Sequence, residues 1–382
     1  MNSGVKKSLL PQGLRDLLPP EAIHEASVMD GLLEAFSIHG YERVEPPLVE
    51  FEENLLDGAG EAMAPHTFRL MDPVSQRMMG VRADMTPQVA RIATSRLAAM
   101  ERPLRLFYGG QVLRVKGSQL RPERQVAQAG VELIGADSPE ADAEVIALAY
   151  EALQTLGVEN LSVDISLPTI VRAICDDLGL DRDAKEDVRS ALDRKDAAAI
   201  AAMAGPVAGI FGGLLQASGL ADKAIAALNE LTLPEAAAAE RDRLILVVER
   251  LSDMALGLMV TVDPVEHRGF EYQTGLSFTL FDRDVRGELG RGGRYLAGAA
   301  DEAATGFSLY MDTVLRAVPK RERRSRLYLP HGTDLDIARR ERTAGWITVS
   351  GLAPEKDVLT EAARLRCSHV LTLDGIVAVE KE

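Results

Sequence analysis

Residues 124–135 read RQVAQAGVELIG and show the clearest strand pattern of the chain. Its odd positions from 127 to 133 are apolar and alternate with Gln128, Gly130 and Glu132. Because successive side chains of a strand point to opposite faces, one face meets a core and the other presents two polar groups beside a glycine. Residues 104–116 form a second strand pattern, and the polar stretch 116–123 between them predicts a long β-hairpin.

The segments around this hairpin predict further helices and strands. Apolar residues at helical spacing predict helices over 21–39, 87–100 and 139–156. Strands are predicted over 41–49 and 161–167. Two prolines, Pro46 and Pro47, remove backbone donors from the first of these strands, which places it at a sheet edge or makes it bend away.

The second half of the chain predicts an insert and then a separate small domain. Residues 169–255 are rich in alanine and lack strand patterns, which indicates a helical insert. After it we expect strands at 272–282 and 286–290, a glycine cluster, and a short helix over 306–317. Beyond a basic linker at 320–326, short apolar runs (327–330, 346–350 and 369–373) alternate with helical patterns (334–344 and 355–366), which predicts an α/β appendix.

The composition restricts the class of protein. The 382 residues carry 43 Lys+Arg and 58 Asp+Glu, a formal net charge of −15. Proteins that bind RNA usually show a basic excess or patch, so no tRNA partner is expected. Two cysteines far apart predict a reducing, cytoplasmic compartment, with no disulfide framework, and neither cysteines nor histidines show metal-ligand spacing. The chain has no run of 18 apolar residues, so a membrane span is not expected.

Two segments carry residues suited to binding a zwitterionic small molecule. Asp84 and Thr86 stand just before a proline, and a carboxylate with a hydroxyl can satisfy the donors of an ammonium group. The alternative is that they only cap the helix that begins there. In the hairpin, Arg114, Gln128 and Glu132 share one face. The alternative for these three is cross-strand pairing on a solvent-facing surface.

Two further segments are rich in glycine and arginine. In HRGFEYQTG (267–275), Arg268 can reach a carboxylate in bidentate fashion and Tyr272 can line a ring-shaped pocket, although a surface turn is the simpler alternative. Residues 290–295, GRGGRY, superficially resemble a phosphate-binding loop. They lack both the P-loop lysine and the GxGxxG spacing, so they are a weak signal for a nucleotide.

In their order along the chain, these segments resemble the catalytic core of class II histidyl-tRNA synthetases, over about residues 8–318. The matching stretches are 10–16 (LPQGLRD), 40–47 (motif 1), 82–86, the hairpin with Arg114 and 128–132 (motif 2), 268–272, and 292–295 leading into 306–308. The resemblance implies an α+β fold, with an antiparallel sheet flanked by helices. The implied domains are a synthetase-like core over 1–320, which includes the insert, and a small α/β domain over 327–382.

The departures from the synthetases bear on function. Thr313 stands where the arginine of motif 3 binds ATP, and Tyr310 replaces a glycine that lets ATP approach. Lys116 replaces a glutamate of motif 2, and Gln273 replaces the second tyrosine of the histidine-recognition loop. Adenylate formation needs cations that stabilise charge developing on the α-phosphate. We therefore expect that ATP activation is lost.

This combination resembles the regulatory subunits of ATP phosphoribosyltransferase, whose DMTPQ and YxTG strings are similar to 84–88 and 272–275 here. The resemblance implies a non-catalytic dimeric scaffold without a cofactor. It would bind a short-form catalytic subunit in a hetero-oligomer, support the first step of histidine biosynthesis, and let L-histidine inhibit that step. Two alternatives stay open: an active histidyl-tRNA synthetase with a divergent motif 3, and a free-standing class II paralogue that binds an amino acid.

The resemblance also implies one pocket for L-histidine, with no catalytic and no metal-binding residue. Three side chains hold the α-ammonium group, a glutamate meets the imidazole, an arginine pairs with the carboxylate, and two tyrosines wall the ring. The arginine of motif 2, which serves ATP in the synthetases, is also kept. The three partners of the ammonium group are Asp84, Thr86 and Gln128, and the glutamate is Glu132. The arginine that pairs with the carboxylate is Arg268, the two tyrosines are Tyr272 and Tyr295, and the arginine of motif 2 is Arg114.

Overall fold

The computed structural model describes residues 9–379 except 57, 118–120, 204, 267–272, 299 and 321–323. The chain divides into two compact units, Met1–Pro319 and Lys320–Glu382. The division falls at the start of the basic stretch 320–326.

The first half of the larger unit contains the predicted hairpin. Its elements are α1 (Glu21–Ile38), β1 (Glu42–Arg43), β2 (Val49–Phe51), α2 (Glu52–Leu55), a 3₁₀ helix (Gly58–His66), β3 (Phe68–Met71), β4 (Met78–Val81), α3 (Thr86–Ser95), β5 (Leu104–Leu113), β6 (Gln125–Ile134), α4 (Pro139–Thr155) and β7 (Leu161–Ser166). The helices over 21–39 and 139–156 and the hairpin are confirmed. The segment 41–49 is divided between β1 and β2, because its two prolines interrupt pairing between them.

The second half of the larger unit holds the insert and the remaining strands. Its elements are α5 (Ile170–Asp177), α6 (Arg182–Asp193), α7 (Ala197–Ala201), α8 (Pro206–Gln216), β8 (Gly219–Leu220), α9 (Ala221–Asn229), α10 (Glu235–Met254), β9 (Met259–Asp263), β10 (Ser277–Asp282), β11 (Glu288–Ala297), β12 (Glu302–Tyr310) and α11 (Met311–Ala317).

Three sequence predictions in this half need correction. The insert is helical except for β8, which pairs with β9. The strand predicted over 286–290 continues through the glycine cluster as β11, where glycines allow close approach of neighbouring groups. The helix predicted from residue 306 begins only at Met311, because the preceding residues pair with both β6 and β11.

Nine strands of the described chain form one sheet, in the order β1-β5-β6-β12-β11-β10-β7-β9-β8. The pairs from β5 to β7 are all antiparallel. β1 lies at the predicted edge and runs parallel to β5, and β9 runs parallel to β7. The strands β2, β4 and β3 form a separate three-stranded sheet. The α+β class and the largely antiparallel sheet predicted from the sequence are confirmed.

The alternation in β6 gives the central sheet two different faces. Its apolar residues, represented by Ala129 and Val131, are fully buried in a core cluster that also contains Phe36 of α1 and side chains of α4. On the opposite face, Gln128 pairs in register with Tyr310, and Glu132 pairs with Gly306. The polar residues of the hairpin therefore lie on the face away from the main core.

The smaller unit is an α/β sandwich. It contains β13 (Arg326–Leu329), α12 (Leu335–Thr343), β14 (Ile347–Ser350), α13 (Val358–Arg364), β15 (His369–Thr372) and β16 (Gly375–Ala378). The strand order is β14-β13-β15-β16, and the pairs that β13 makes are parallel. Tyr328 clusters with Ala362 of α13, whereas Leu327 and Leu329 cluster with Ala338 of α12. Alternate residues of β13 thus bury both faces of this sheet.

Candidate functional site

Four polar side chains form a buried floor on the hairpin face away from the main core. Tyr108, Gln128, Glu132 and Ser308 are at most 5% exposed. Gln128 Nε2 donates to Ser308 Oγ at 2.6 Å, and the Tyr108 hydroxyl donates to Glu132 Oε1 at 3.2 Å. The Tyr108 and Ser308 hydroxyls are 2.9 Å apart. The alternative that Gln128 and Glu132 only pair across strands on a solvent-facing surface is therefore wrong. We call Tyr108, Gln128, Glu132 and Ser308 the polar floor.

The segment before α3 closes one side of the polar floor. The backbone amide of Thr86 donates to Asp84 Oδ1 at 2.9 Å, so Asp84 does satisfy an amide at the helix start. The same Oδ1 accepts from Gln128 Nε2 at 3.2 Å, and the Thr86 hydroxyl lies 3.1 Å from that of Tyr108. Asp84 is half-buried. The Asp84 carboxylate therefore caps the start of α3 and also borders the polar floor.

Glu132 is held where ionisation is unfavourable. Its side chain is fully buried, and the Tyr295 hydroxyl donates to Oε2 at 2.8 Å. Burial raises the pKa of Glu132 to about 8, and the negative charge of Asp84 also raises it, against the hydrogen bonds from Tyr295, Thr86 and Tyr108. Without a ligand, this carboxyl group carries a proton at neutral pH and can donate a hydrogen bond as well as accept one.

Two glycines leave bare backbone beside Glu132. Gly293 of β11 pairs with Gly306 of β12 across the sheet. Gly293 has φ +148°, a conformation that L side chains rarely adopt, and a methyl group on Gly306 would collide with Glu132 Oε2. These glycines form what we call the glycine strip. Neither position can carry a side chain, because the amide of Gln273 and the carboxyl of Glu132 already approach the backbone there.

The structure brings together five of the eight residues that the sequence predicts for the histidine pocket. These are Asp84, Thr86, Gln128, Glu132 and Tyr295. Arg114 lies at the margin, where its Nε donates to the Ala83 carbonyl at 3.4 Å and its guanidinium lies 5.5 Å from the Tyr310 ring centre. The remaining two, Arg268 and Tyr272, lie outside the described residues.

Tyr108 and Ser308 are site residues that the sequence interpretation missed. Tyr108 occupies the position opposite Gly130 in the hairpin, so the even positions of β5 contained a usable signal. Ser308 fell inside the predicted helix over 306–317, and helical spacing gave no reason to place it beside Gln128. Only the pairing of β12 with β6 identifies it.

The two residues that the sequence resemblance places at the ATP position, Tyr310 and Thr313, are both buried. The Tyr310 ring is buried, and the Arg121 guanidinium lies 4.1 Å from its centre. Arg121 is in turn 3.2 Å from a carboxylate oxygen of Glu288 and 3.7 Å from one of Asp312. Thr313 is buried at 1% exposure. The positive charge of Arg121 is therefore balanced by carboxylates of the chain itself, which weakens any attraction for phosphate.

The described parts of the chain contain no metal site, membrane span or disulfide. No three histidine, cysteine, aspartate or glutamate side chains there are placed to hold a metal ion. None of the helices that the structure describes has the length and apolar character needed to span a bilayer. Cys175 and Cys367 are both buried and form no disulfide.

The fold and the polar floor define a class II synthetase-like protein. Residues 13–314 match the family model described as histidyl-tRNA synthetase. A crystal structure described as an ATP phosphoribosyltransferase regulatory subunit/histidyl-tRNA synthetase from Bacillus halodurans aligns with a TM-score of 0.81 and 26% identity, covering 94% of this chain and 96% of that one.

Sequence relatives narrow the class to one family. The chain is 55% identical to the ATP phosphoribosyltransferase regulatory subunit of Paramagnetospirillum magneticum, over 100% of both chains. It is 56% identical to that of Rhodospirillum centenum, over 95% of this chain and 94% of the relative. The chain belongs to the family of ATP phosphoribosyltransferase regulatory subunits. The family, the fold class and the regulatory rather than catalytic role predicted from the sequence are confirmed.

Proposed function

We propose that this chain senses L-histidine on the polar floor and transmits its binding to a short-form catalytic subunit of ATP phosphoribosyltransferase. The observation that carries the proposal is the contrast between two neighbouring regions. One is a buried polar cluster that borders a glycine strip, and the other is a nucleotide position filled by Tyr310 and its paired Arg121. This contrast supports a protein that binds an amino acid and does not activate ATP.

The polar floor offers groups that match both ends of histidine. Asp84 at the rim supplies negative charge for the α-ammonium group, and the Thr86 hydroxyl and Gln128 amide add hydrogen-bonding partners. Glu132 meets the imidazole over the glycine strip, and Tyr295 holds that carboxyl in place. Arg268 as partner of the ligand carboxylate and Tyr272 as a wall of the pocket belong to the proposal on sequence resemblance alone.

The assembly we propose is a homodimer of this chain within a larger hetero-oligomer. Exposed apolar side chains in and next to the separate three-stranded sheet support an additional interface, since a cluster of such groups is unusual on a free surface. They are Leu48, Leu70, Met71, Val74 and Met78. The two unpaired cysteines support a cytoplasmic location, where thiols stay reduced.

Allosteric inhibition requires that histidine bind one state of the complex better than another. A tenfold preference corresponds to about 1.4 kcal/mol of coupling. The test uses the reconstituted complex with Asp84→Asn, which keeps an acceptor for the Thr86 amide but removes the charge, and with Arg268→Ala. We expect histidine to inhibit each variant at least about tenfold more weakly, relative to that variant's own uninhibited rate.

The matched control is Glu159→Gln, which removes a negative charge from an exposed position outside the polar floor. Its inhibition should equal that of the wild type. Unchanged inhibition in both site variants would reject this pocket. If the chain fails to co-purify with the catalytic subunit, it is a free-standing paralogue. If it shows measurable histidine-dependent ATP–pyrophosphate exchange, it is a synthetase.

A further inference from the structure

The smaller unit carries four exposed leucines near one end of its sheet. Leu352 is 95% exposed and Leu373 is fully exposed, while Leu335 and Leu359 are 70% and 45% exposed. Single apolar residues are common on protein surfaces, but a contiguous group of them marks a site of interaction. The strand register and the helix starts show that these four belong to one group.

The strand register places two of the four at the same level of the sheet. β13 lies between β14 and β15 and runs parallel to both. Counted from the paired residues, Leu352 after β14 and Leu373 after β15 both stand level with His331, two residues beyond the end of β13. Because neighbouring strands are about 4.8 Å apart, the two leucines follow strands that are about 10 Å apart.

The other two leucines lie at the same end, one on each face of the sheet. Leu335 is the first residue of α12, and Leu359 is the second residue of α13. Each of these helices begins where a parallel strand has just ended, α12 after β13 and α13 after β14. The two helices pack on opposite faces of β13. We call this group the leucine patch, and its members are Leu335, Leu352, Leu359 and Leu373.

Hydrogen bonds hold the loops that carry the leucine patch. The Glu355 carboxylate accepts from the His331 amide at 3.1 Å and from the Tyr328 hydroxyl, which ties the loop after β14 to the end of β13. In the turn after β15, the Thr372 hydroxyl donates to the Gly375 carbonyl at 2.9 Å. Because these loops are already ordered, little conformational freedom is lost when a partner covers them, and this favours association.

The same end of the smaller unit is negatively charged. The three stretches that form it, 330–336, 351–359 and 372–375, contain five aspartates and glutamates and a single lysine. Asp334 and Asp357 accept hydrogen bonds from backbone amides at the starts of α12 and α13. The end therefore combines exposed apolar side chains with an excess of carboxylates.

Size and charge indicate the kind of partner that this end fits. Four leucine side chains exposed to this degree offer roughly 400 Å² of apolar surface. The apolar share of one side of a standard protein–protein interface is similar, about 450 Å². A second copy in a twofold contact would bring the same carboxylates against each other, and RNA would meet them with its phosphates. A protein surface with apolar side chains bordered by lysine and arginine is complementary to it.

We propose that the leucine patch is a docking surface for the catalytic subunit of ATP phosphoribosyltransferase, through a surface of that subunit with basic residues around an apolar centre. This inference rests on the proposed function, which supplies the protein partner. The strand order supports it as well. The chain passes from β13 to β14 on one side and then to β15 on the other, and open α/β sheets bind their ligands at the carboxyl ends of strands where the order reverses in this way.

The test measures binding of the full-length chain to the purified catalytic subunit by calorimetry. Leu352→Gln combined with Leu373→Gln should weaken binding at least about tenfold, because both leucines lose their apolar contact with the partner. The matched control combines Leu246→Gln with Leu256→Gln, two exposed leucines of the larger unit, and should bind like the wild type. Both double variants should bind L-histidine like the wild type, since the polar floor belongs to the larger unit.

A charge reversal tests the basic character of the partner and keeps all four leucines. Asp374→Lys should slow association with the catalytic subunit at low ionic strength, and the difference from the wild type should shrink as salt is added. Glu159→Lys, the same reversal at an exposed position of the larger unit, should associate at the wild-type rate. Fluorescence of Trp346 during urea unfolding checks that the smaller unit of each variant is folded.

The outcomes separate this inference from the proposed function. Wild-type affinity in the folded Leu352 and Leu373 double variant, or wild-type association of Asp374→Lys at low salt, overturns the docking surface and leaves the proposed function intact. A wild-type chain that binds no catalytic subunit rejects the proposed function, and the docking surface with it. Two further results also overturn the inference: a double variant that, alone, sediments as a smaller species than the wild type, and binding of tRNA that the double variant loses.

Discussion

Replacing Glu132 by glutamine should make the ligand-free protein more stable at alkaline pH and leave it nearly unchanged at acidic pH. The wild-type carboxyl lies fully buried in the polar floor with a pKa of about 8, against an ordinary value of 4.5. Glutamine has the size of protonated glutamic acid and also presents a donor and an acceptor to Tyr108 and Tyr295.

The sign and size of the effect follow from linkage between protonation and folding. Because the folded-state pKa is raised, the stabilising contribution is fully present below about pH 4.5 and is lost as the pH rises through about 8. At about 1.36 kcal/mol per pKa unit, the full loss is about 5 kcal/mol. Glu132→Gln has no such loss, so at pH 8.5 it should exceed the wild type by several kcal/mol.

Urea unfolding at pH 5, pH 7 and pH 8.5 measures this difference. The single tryptophan, Trp346, belongs to the smaller unit, whereas the polar floor belongs to the larger one. Far-UV circular dichroism and hydrogen exchange of β6 amides are therefore the appropriate signals. The free energy of unfolding of the variant minus that of the wild type should increase with pH across the series.

The control is Glu159→Gln, an exposed carboxyl whose replacement should give the same small difference at all three pH values. Equal stability differences for Glu132→Gln at pH 5 and pH 8.5 would contradict this prediction, because they would show that Glu132 ionises alike in the folded and unfolded chains. A variant that is less stable at pH 8.5 than the wild type would contradict it more strongly.

Two other perturbations test the architecture around the site. Asp142 is fully buried and accepts hydrogen bonds from Arg243 Nε at 2.8 Å and from Arg294 Nε at 3.0 Å. Asp142→Asn should therefore lower the free energy of unfolding of the larger unit by about 3–5 kcal/mol in urea. A loss below about 1 kcal/mol would mean that the two arginines find other partners. Gly306→Ala places a methyl group against Glu132 and the Val131 carbonyl, so calorimetry should show histidine affinity reduced more than tenfold. Gly209→Ala, which has open space around the added methyl group, should bind histidine like the wild type. Wild-type affinity in Gly306→Ala would show that the Glu132 carboxyl has another position available.

Much of the fold was accessible from the sequence because its signals are local. The strand β6 was predicted from alternation, the helices α1 and α4 from helical spacing, and the edge position of the strand before β2 from its paired prolines. Each of these patterns involves only neighbouring residues, and each predicted feature is confirmed. The errors fell where tertiary pairing overrode local pattern. The strand predicted over 286–290 stops short of most of glycine-rich β11, and the end of β12 was predicted as a helix, yet both are central strands with partners on two sides.

The candidate site shows the same division. Asp84, Thr86, Gln128 and Glu132 were identifiable because polar residues at a helix start and on one parity of a strand are unusual and chemically matched. Ser308 could not be found this way, because its relation to Gln128 spans 180 positions and depends on strand order. Sequence resemblance identified the substitutions Tyr310 and Thr313 but not the carboxylates that neutralise Arg121.

Residue type and order are enough to identify the family, the retained polar groups and the absence of the ATP-binding arginine. Which groups are buried together depends on the folded chain, and with it the protonation of Glu132 and the missing partner of Gln273. The physical reason is that desolvation and hydrogen-bond satisfaction depend on everything that surrounds an atom, and strands distant in sequence supply those surroundings.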